Sequence, residues 1–510
     1  MAGAPRVEPY DDHNRKLVGY VHPPDWKNPT PSGRYDLVVV GAGTGGLISA
    51  LGASILGARV ALVERHLMGG DCLNVGCVPS KAVIRAAEVA HEARSARALG
   101  LETSEGPPDF AAAMERMRSI RARIAKEDSA ERYSGEFGVH VYLGNGRFTS
   151  ERTLDVDGVE LAFRRAVIAT GARASAPPIP GLAEAKPLHS DNLWDLRVQP
   201  RRLVVLGGGP IGCELAQAFR RLGAEVVVLE RMEQVLPRED PDAARIVQTA
   251  LEREGIELVF GAELKSVERR GSEKRLHVVD PRRGDREISA DAILVSIGRA
   301  PNVEDLGLER AGVAFDKTGV RVDDFLRTSQ PRIYAVGDVC MQWKFTHAAD
   351  AAAKIAVQNA LFALGPIARR RVSQLVMPWC TYTDPEVAHV GLYEREAREK
   401  GIEVETYQVG IERSNRAVTD GQEEGLVKVH VRKGSDKIVG ATVVARHAGE
   451  LITQLTLAMT KGIGLSSFSG VIYPYPTQGE AIKAAAGLLG RKRLTPTNLR
   501  VLGFLLRLHR

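Results

Sequence analysis

The sequence has little that would suit it to a membrane, a secretory route or a nucleic acid. No apolar stretch reaches the eighteen or so residues of a bilayer span. The first thirty residues hold no apolar core of the signal-peptide kind. Both absences lead to the expectation of a cytoplasmic protein. Cysteine is scarce, with five residues at 72, 77, 213, 340 and 380. The odd total, and the closeness of one pair alone, argue against a secreted disulfide scaffold. The net charge of +6 is a mild basic bias for 510 residues. No base-reading motif accompanies it, so no nucleic-acid partner is expected. A zinc reading of Cys72 and Cys77 needs two further ligands, and none is nearby, so no metal site is assigned.

Glycine, by contrast, is plentiful at 51 residues, which points to tight turns and close backbone approaches. A chain of this length is too long for one core, so several domains are expected. In RYDLVVVGAGTGGLISALGASILGARVALVER an apolar strand runs into a glycine turn, an alanine-rich helix and a second strand ending at Glu64. The pattern returns in RRLVVLGGGPIGCELAQAFRRLGAEVVVLER, whose second strand ends at Glu230. In both copies the acidic residue falls 23 positions after the first glycine. Gly41, Gly43 and Gly46, and again Gly207, Gly209 and Gly212, are spaced for dinucleotide binding. The first glycine allows the turn, the second lets a pyrophosphate approach the backbone, and the third permits close helix packing. Two dinucleotides are therefore expected, with Glu64 and Glu230 placed to accept from ribose hydroxyls. A carboxylate at 230 repels a 2′-phosphate and favours NADH over NADPH, an effect that Arg231 weakens.

From about Val372 the texture changes to β-rich runs, as in LVKVHVRKGSDKIVGATVVA, and later helices at 448–461 and 479–489. This reads as a separate α+β domain. The opening 34 residues are polar and lack a sustained period, so they read as a surface extension. The tail after 490 begins basic and ends in a short apolar run. Its expected use is to cover a groove on its own dimer, or to touch an anionic membrane through Arg491, Lys492, Arg493, Arg500 and Arg507.

The most informative stretch is GGDCLNVGCVPSKAVIRAAEVAHEA. Cys72 and Cys77 both precede or open a helix, whose positive end favours thiolate and lowers a thiol pKa. Lys81 sits one turn beyond Cys77 on the same face. This segment closely resembles the active-site signature of the class I pyridine nucleotide-disulfide oxidoreductases, which include lipoamide dehydrogenase, glutathione reductase and mercuric reductase. The resemblance runs from about Arg34 to Leu489 with every motif in order.

The resemblance implies an FAD domain over 35–185 and 306–368, an NAD(P) domain over 186–305, and a dimerisation domain over 369–489. An extension (1–34) and a tail (490–510) flank them. It implies Cys77 as the flavin-proximal, charge-transfer sulfur and Cys72 as the interchange sulfur, the two forming a redox-active disulfide. Lys81 would sit near the flavin and pair with Glu214. Asp338 would hold the ribityl chain, and the helix carrying Ala348 would point its positive end at the flavin. Thr170 and Gly171 resemble the family's ATG turn, and Gly298, in DAILVSIGRAPN, falls with the nicotinamide cofactor.

Where the family's disulfide reductases carry a histidine with a glutamate five residues later, this chain reads YPYPTQGE, with Tyr475 and Glu480. Tyrosine, with a pKa near 10, is a poor proton shuttle at neutral pH. Tyr475 with Tyr473 beside it is similar to mercuric reductase, yet no cysteine follows Cys380 to pass a metal inward. The expectation is a homodimeric, FAD-dependent NAD(P)H oxidoreductase, mercuric-reductase-like, acting on a thiol-bound metal or a disulfide. Dihydrolipoamide dehydrogenase and a slow redox-sensing or membrane-docking flavoprotein are the alternatives.

Overall fold

The computed structural model describes residues 5–102, 106–365 and 367–509. They form two compact units. The described residues within 1–207, 218–229 and 262–374 make up one, and those within 208–217, 230–261 and 375–510 the other.

The first unit opens with α1 (Asp12–Val21), followed by β1 (Tyr35–Val40), α2 (Thr44–Ile55) and β2 (Val60–Glu64). Next come α3 (Gly70–Asn74), α4 (Cys77–Ser95) and α5 (Phe110–Ile124). Then β3 (His140–Leu143) and β4 (Val159–Ile168) precede β5 (Ile333–Ala335) and α6 (Thr346–Val357). The five strands pair in parallel in the order β3-β2-β1-β4-β5. Their runs of Val, Leu, Ile and Ala are buried nearly throughout, as a parallel sheet covered on both faces requires. The helices α2 and α6 approach closely on one face. A Cβ at Gly45 would lie 2.9 Å from Val336 Cγ2 and 3.7 Å from Ala349 Cβ.

The second glycine repeat starts from strand Arg202–Leu206, which pairs in parallel with the strand beginning at Glu225 and with Ala292–Val295. A three-stranded antiparallel sheet follows over 263–270, 273–280 and 284–290. Helix α6 ends its α-helical part at Val357 and passes into a single π-type turn, Gln358–Phe362.

The opening residues depart from the expected surface extension. Helix α1 buries Asn14, Leu17, Val18 and Val21. Asp11 caps it, its carboxylate accepting from the Asn14 N–H at 2.9 Å. Ten residues are too few to display a sustained period, and one stripe of three apolar side chains suffices to bury so short a helix.

In the second unit, five antiparallel strands run in the order Pro378–Thr381, Glu386–Gly391, Ile438–Ala445, Leu426–Arg432 and Val404–Gly410. Helices Ala448–Lys461 and Glu480–Lys492 contribute Ile452, Leu455, Ile482 and Ala485 to the core of this layer. The tail forms a helix, Pro496–Leu508, without one buried residue. Among the described residues no helix is long and apolar enough to cross a membrane. The architecture is α/β, with two Rossmann-like regions, each opening on a glycine loop, and a C-terminal α+β domain.

Candidate active site

The two glycine repeats agree at the level of single hydrogen bonds. The Glu64 carboxylate accepts from the N–H groups of Ala42 and His66, each at 2.7 Å. The Glu230 carboxylate accepts from Gly208 at 2.6 Å and Met232 at 2.8 Å. In both copies the donors are the residue after the first glycine and the residue two beyond the glutamate. Burial raises the Glu64 carboxyl above its usual range, and these N–H donors oppose the rise. Each carboxylate is thus fixed beside its loop with lone pairs left for a sugar hydroxyl.

Space around the loops fits a dinucleotide. A Cβ on Gly43 would meet only Gly70 Cα, at 3.7 Å, and one on Gly209 would meet nothing within 4 Å. The middle glycine of each loop therefore faces the side from which a pyrophosphate approaches. No side chain caps the N-terminus of α2, which leaves its first-turn amides to an anion. A cleft lined by Gly41, Glu64, Thr170, Asn302 and Glu304 lies beside this loop. Thr170 and Asn302 close its floor reciprocally. The Thr170 hydroxyl donates to the Asn302 carbonyl at 2.7 Å, and the Asn302 amide to the Thr170 carbonyl at 2.9 Å. Gly171 and Gly298 flank the short antiparallel ribbon of Ala172–Ala174 with Arg299–Pro301.

The thiols sit on two helices. Cys72 is in the middle of α3, and Cys77 is the first residue of α4, whose N-terminus carries no side-chain cap. The Cys77 Sγ lies 3.3 Å from Thr346 Oγ1, at the start of α6. Cys72 hydrogen-bonds both Cys77 and Thr346. The expectation of a lowered pKa for both thiols fails at Cys72. Its hydrogen bond with Cys77, then burial, push that thiol up. The five residues of α3 offer too little dipole to offset this.

Lys81 lies on α4 one turn after Cys77 and is half-buried. In the other unit Glu214 is buried, its carboxylate accepting from the Tyr382 N–H at 2.9 Å. Asp338 lies 3.4 Å from Arg299 Nε, and burial raises its carboxyl. Ala348 is fully buried on α6. Tyr475 is 71% exposed, its hydroxyl accepting from Asn415 Nδ2 at 2.7 Å. Tyr473 donates to Gln454 Oε1 at 3.0 Å, and Glu480 accepts from the Thr477 N–H at 3.3 Å.

Sequence reasoning missed Thr346, Arg299 and Asp71. Arg299 bonds the carboxylate of Asp71, the residue before Cys72, and donates to the Ala172 carbonyl at 2.6 Å. Adjacency to Cys72 was the available signal for Asp71. None existed for Arg299, 228 residues away.

Asp128 was missed as well. Its Oδ2 lies 3.0 Å from the position a Cβ would take on Gly69, which caps α3. Burial, with help from Glu127 and against Arg132, raises its carboxyl from 3.8 to about 6. The fold thus accommodates the neutral form. The favourable contribution is complete below about pH 4 and is lost as pH rises through 6. A two-unit shift corresponds to about 3 kcal/mol at most. Asp128→Asn is expected to raise the thermal midpoint of the holoenzyme by a few °C at pH 8 and to leave it unchanged at pH 4. Equal midpoints at pH 8 would remove Asp128 as a source of strain.

Two loops built to cradle dinucleotides, and a vicinal thiol pair at converging helix ends, define a flavin- and nicotinamide-dependent dithiol oxidoreductase. Comparison with known proteins agrees. The pyridine nucleotide-disulphide oxidoreductase model matches residues 35–353, and the dimerisation domain of the same family matches 377–486. The chain belongs to this family, whose members use FAD and NAD(P)H, and its C-terminal domain supports a homodimer. A mercuric reductase of Bacillus cereus is 36% identical over 452 residues, 88% of this chain and 71% of its own length. A dihydrolipoyl dehydrogenase of Thermus scotoductus is 35% identical over 477 residues, 90% and 98% of the two chains. The Cu(II) complex of the HOCl-induced flavoprotein disulfide reductase RclA from Escherichia coli superposes with a TM-score of 0.79 at 26% identity, covering 90% of this chain and 100% of that one.

Proposed function

We propose that this enzyme uses NADH to reduce a thiophilic metal ion delivered as a thiol complex, through the Cys72–Cys77 pair. The observation that carries the reading is Tyr475, an exposed phenol where a disulfide reductase needs a proton-shuttling histidine. Reduction of a disulfide substrate leaves a thiolate that must be protonated, whereas a metal–thiolate acceptor is passed on by ligand exchange. The mercuric reductase relative and the Cu(II)-bound structural neighbour support the same acceptor class.

Bound FAD supplies two-electron transfer between the nicotinamide and the cysteine pair. The chain's own contribution begins with Gly41, Gly43, Gly46 and Glu64 holding FAD, with Thr170, Gly171, Asp338 and Ala348 beside it. Gly207, Gly209, Gly212, Glu230 and Gly298 hold NADH, and the Glu230 carboxylate disfavours a 2′-phosphate. Cys77 opens α4, where the helix end favours its thiolate. Cys72, kept protonated by its neighbour, is the sulfur that meets the acceptor. Lys81 serves the flavin side of the cysteine pair, Glu214 is a further catalytic residue, and Tyr473, Tyr475 and Glu480 complete the site of the partner subunit. Cys213 is fully buried, so a metal exchanges directly onto Cys72 and Cys77. The division into FAD, NAD(P) and dimerisation domains and a cytoplasmic location belong to the same reading.

The test is NADH consumption with Hg(II) in excess thiol, with detection of elemental mercury. Turnover with mercury release is expected, and dihydrolipoamide-driven NAD⁺ reduction should be slower by roughly 10²-fold. Brisk turnover of dihydrolipoamide with none on mercury would reverse the assignment.

The tail carries a second contact. Residues 481–510 hold seven Lys and Arg and no acidic residue, which leaves the first 480 residues one charge negative. Leu499, Leu502, Phe504, Leu505 and Leu506 are exposed on its helix. An anionic membrane surface matches both features. The protein should co-sediment with phosphatidylglycerol vesicles, and a variant ending at 490 should stay in the supernatant. Equal sedimentation of the two would dismiss the contact.

A further inference from the structure

The family model begins at residue 35, so α1 lies outside it. Its buried position has a specific connection. Two arginines one turn apart on α5 grip it. Arg118 Nε donates to the Asp11 carboxylate at 2.6 Å, and Arg121 Nη2 donates to Asn14 Oδ1 at 2.7 Å. Asn14 is fully buried and donates its own amide to the Pro9 carbonyl at 2.8 Å. Arg121, 2% exposed, turns its other terminal nitrogen to the Asn74 carbonyl at 2.6 Å.

Asn74 closes α3, two residues after Cys72 and three before Cys77. Its side chain donates to the carbonyls of Met68 and Gly70, at 3.0 and 2.9 Å, and so ties the end of α3 to its beginning. The far end of α1 reaches the same loop, because the Val21 carbonyl accepts from the Met68 N–H at 3.1 Å. Trp194 Nε1 holds the Val75 carbonyl at 2.9 Å. The four residues that separate the two sulfurs are thus anchored from behind, and one anchor runs through Arg121 to the N-terminal helix.

We propose that α1 is a brace for the redox-active loop, acting through the buried chain Asn14–Arg121–Asn74 to hold Cys72 and Cys77 at the separation that disulfide closure requires. The inference rests on the reading of these two cysteines as the redox pair. Asn14 and Arg121 are positioning residues, since neither touches a sulfur. Burial lowers the Arg121 guanidinium to about 10, so this cation leans on the few acceptors it has, Asn14 among them. Closing a disulfide between helices depends on how often the sulfurs meet at bonding distance, and a looser loop lowers that frequency.

The experiment uses the FAD-loaded enzyme and the exchange with dithiothreitol: the Cys72–Cys77 bond breaks, Cys72 takes one of the two dithiothreitol protons, Cys77 is left as the thiolate with the second proton released to solvent, and dithiothreitol becomes its cyclic disulfide. Asn14→Ala and Arg121→Met should each shift this equilibrium toward the dithiol about tenfold, which is ~30 mV for a two-electron couple. The double variant should shift it no further, because both cut one chain. Arg121→Lys, which keeps a donor for the Asn74 carbonyl, should recover part of the shift. NADH oxidation by ferricyanide, which bypasses the cysteines, should stay within twofold of wild type. An unchanged equilibrium in variants that retain FAD would overturn the brace, as would additive shifts or a parallel fall in ferricyanide activity. If NADH fails to generate the two thiols in the wild-type enzyme, the redox-pair reading itself falls, whatever the variants do.

Discussion

Cys77→Ser should bind FAD, oxidise NADH with ferricyanide at close to the wild-type rate, and lose acceptor turnover by roughly 10³-fold or more. The two activities separate because the nicotinamide-to-flavin step needs the glycine loops and not the sulfurs. Cys77 is the thiol at the start of α4, beside Thr346 Oγ1 at 3.3 Å. Its thiolate should produce a long-wavelength absorbance when the enzyme is reduced by one equivalent of NADH, and serine cannot replace it. Cys72→Ser should lose turnover equally but keep that absorbance, since Cys77 stays in place. Cys213→Ser should remain within about twofold, because that thiol is buried and donates to the Gly208 carbonyl at 3.2 Å. Persistence of the absorbance in Cys77→Ser would exchange the roles of the two sulfurs.

Gly46→Ala should yield protein without FAD, or no folded protein at all. A Cβ there would lie 1.7 Å from the Gly41 carbonyl oxygen and 2.8 Å from its carbon. Backbone of the phosphate loop cannot retreat without opening the turn that Gly41 makes against Ala169, where a Cβ would sit 2.5 Å from the carbonyl oxygen. The expected penalty exceeds ~4 kcal/mol, the range reserved for core overpacking and broken special backbone. Gly52→Ala, on the same helix with nothing within 4 Å of the new atom, should instead gain about 0.5–1 kcal/mol from helix propensity. The FAD-to-protein absorbance ratio and the thermal midpoint measure both. A Gly46→Ala enzyme with full flavin content would show that the loop tolerates a shift this geometry forbids.

The acid–base question at Tyr475 separates chemistry from scaffold. The loop YPYPTQGE retains the glutamate, and Glu480 does accept from the Thr477 N–H. The carboxylate that would steady a histidine is therefore used to shape the loop around a tyrosine.

Much of this protein is written in short-range pattern. The glycine spacings, the 23-residue interval to Glu64 and Glu230, the hairpin of 426–432 with 438–445, and the helix over 448–461 all follow from local periodicity and turn chemistry. The cysteine pair belongs with them, since both sulfurs and the helix start lie within one short segment. Tertiary structure alone decided the rest. Thr346 joins the thiols from 269 residues away, and Arg299 reaches Asp71 across 228. Asp128 acquires its raised carboxyl from burial against the α3 loop. The hydrogen bond from Cys77, then burial, reverses the expectation for Cys72, and burial draws α1 out of solvent. Secondary structure is chosen by neighbours within a few residues, and those neighbours can be read along the chain. Burial, pKa and the pairing of distant donors depend on which surfaces the folded chain brings together, and no local period encodes that.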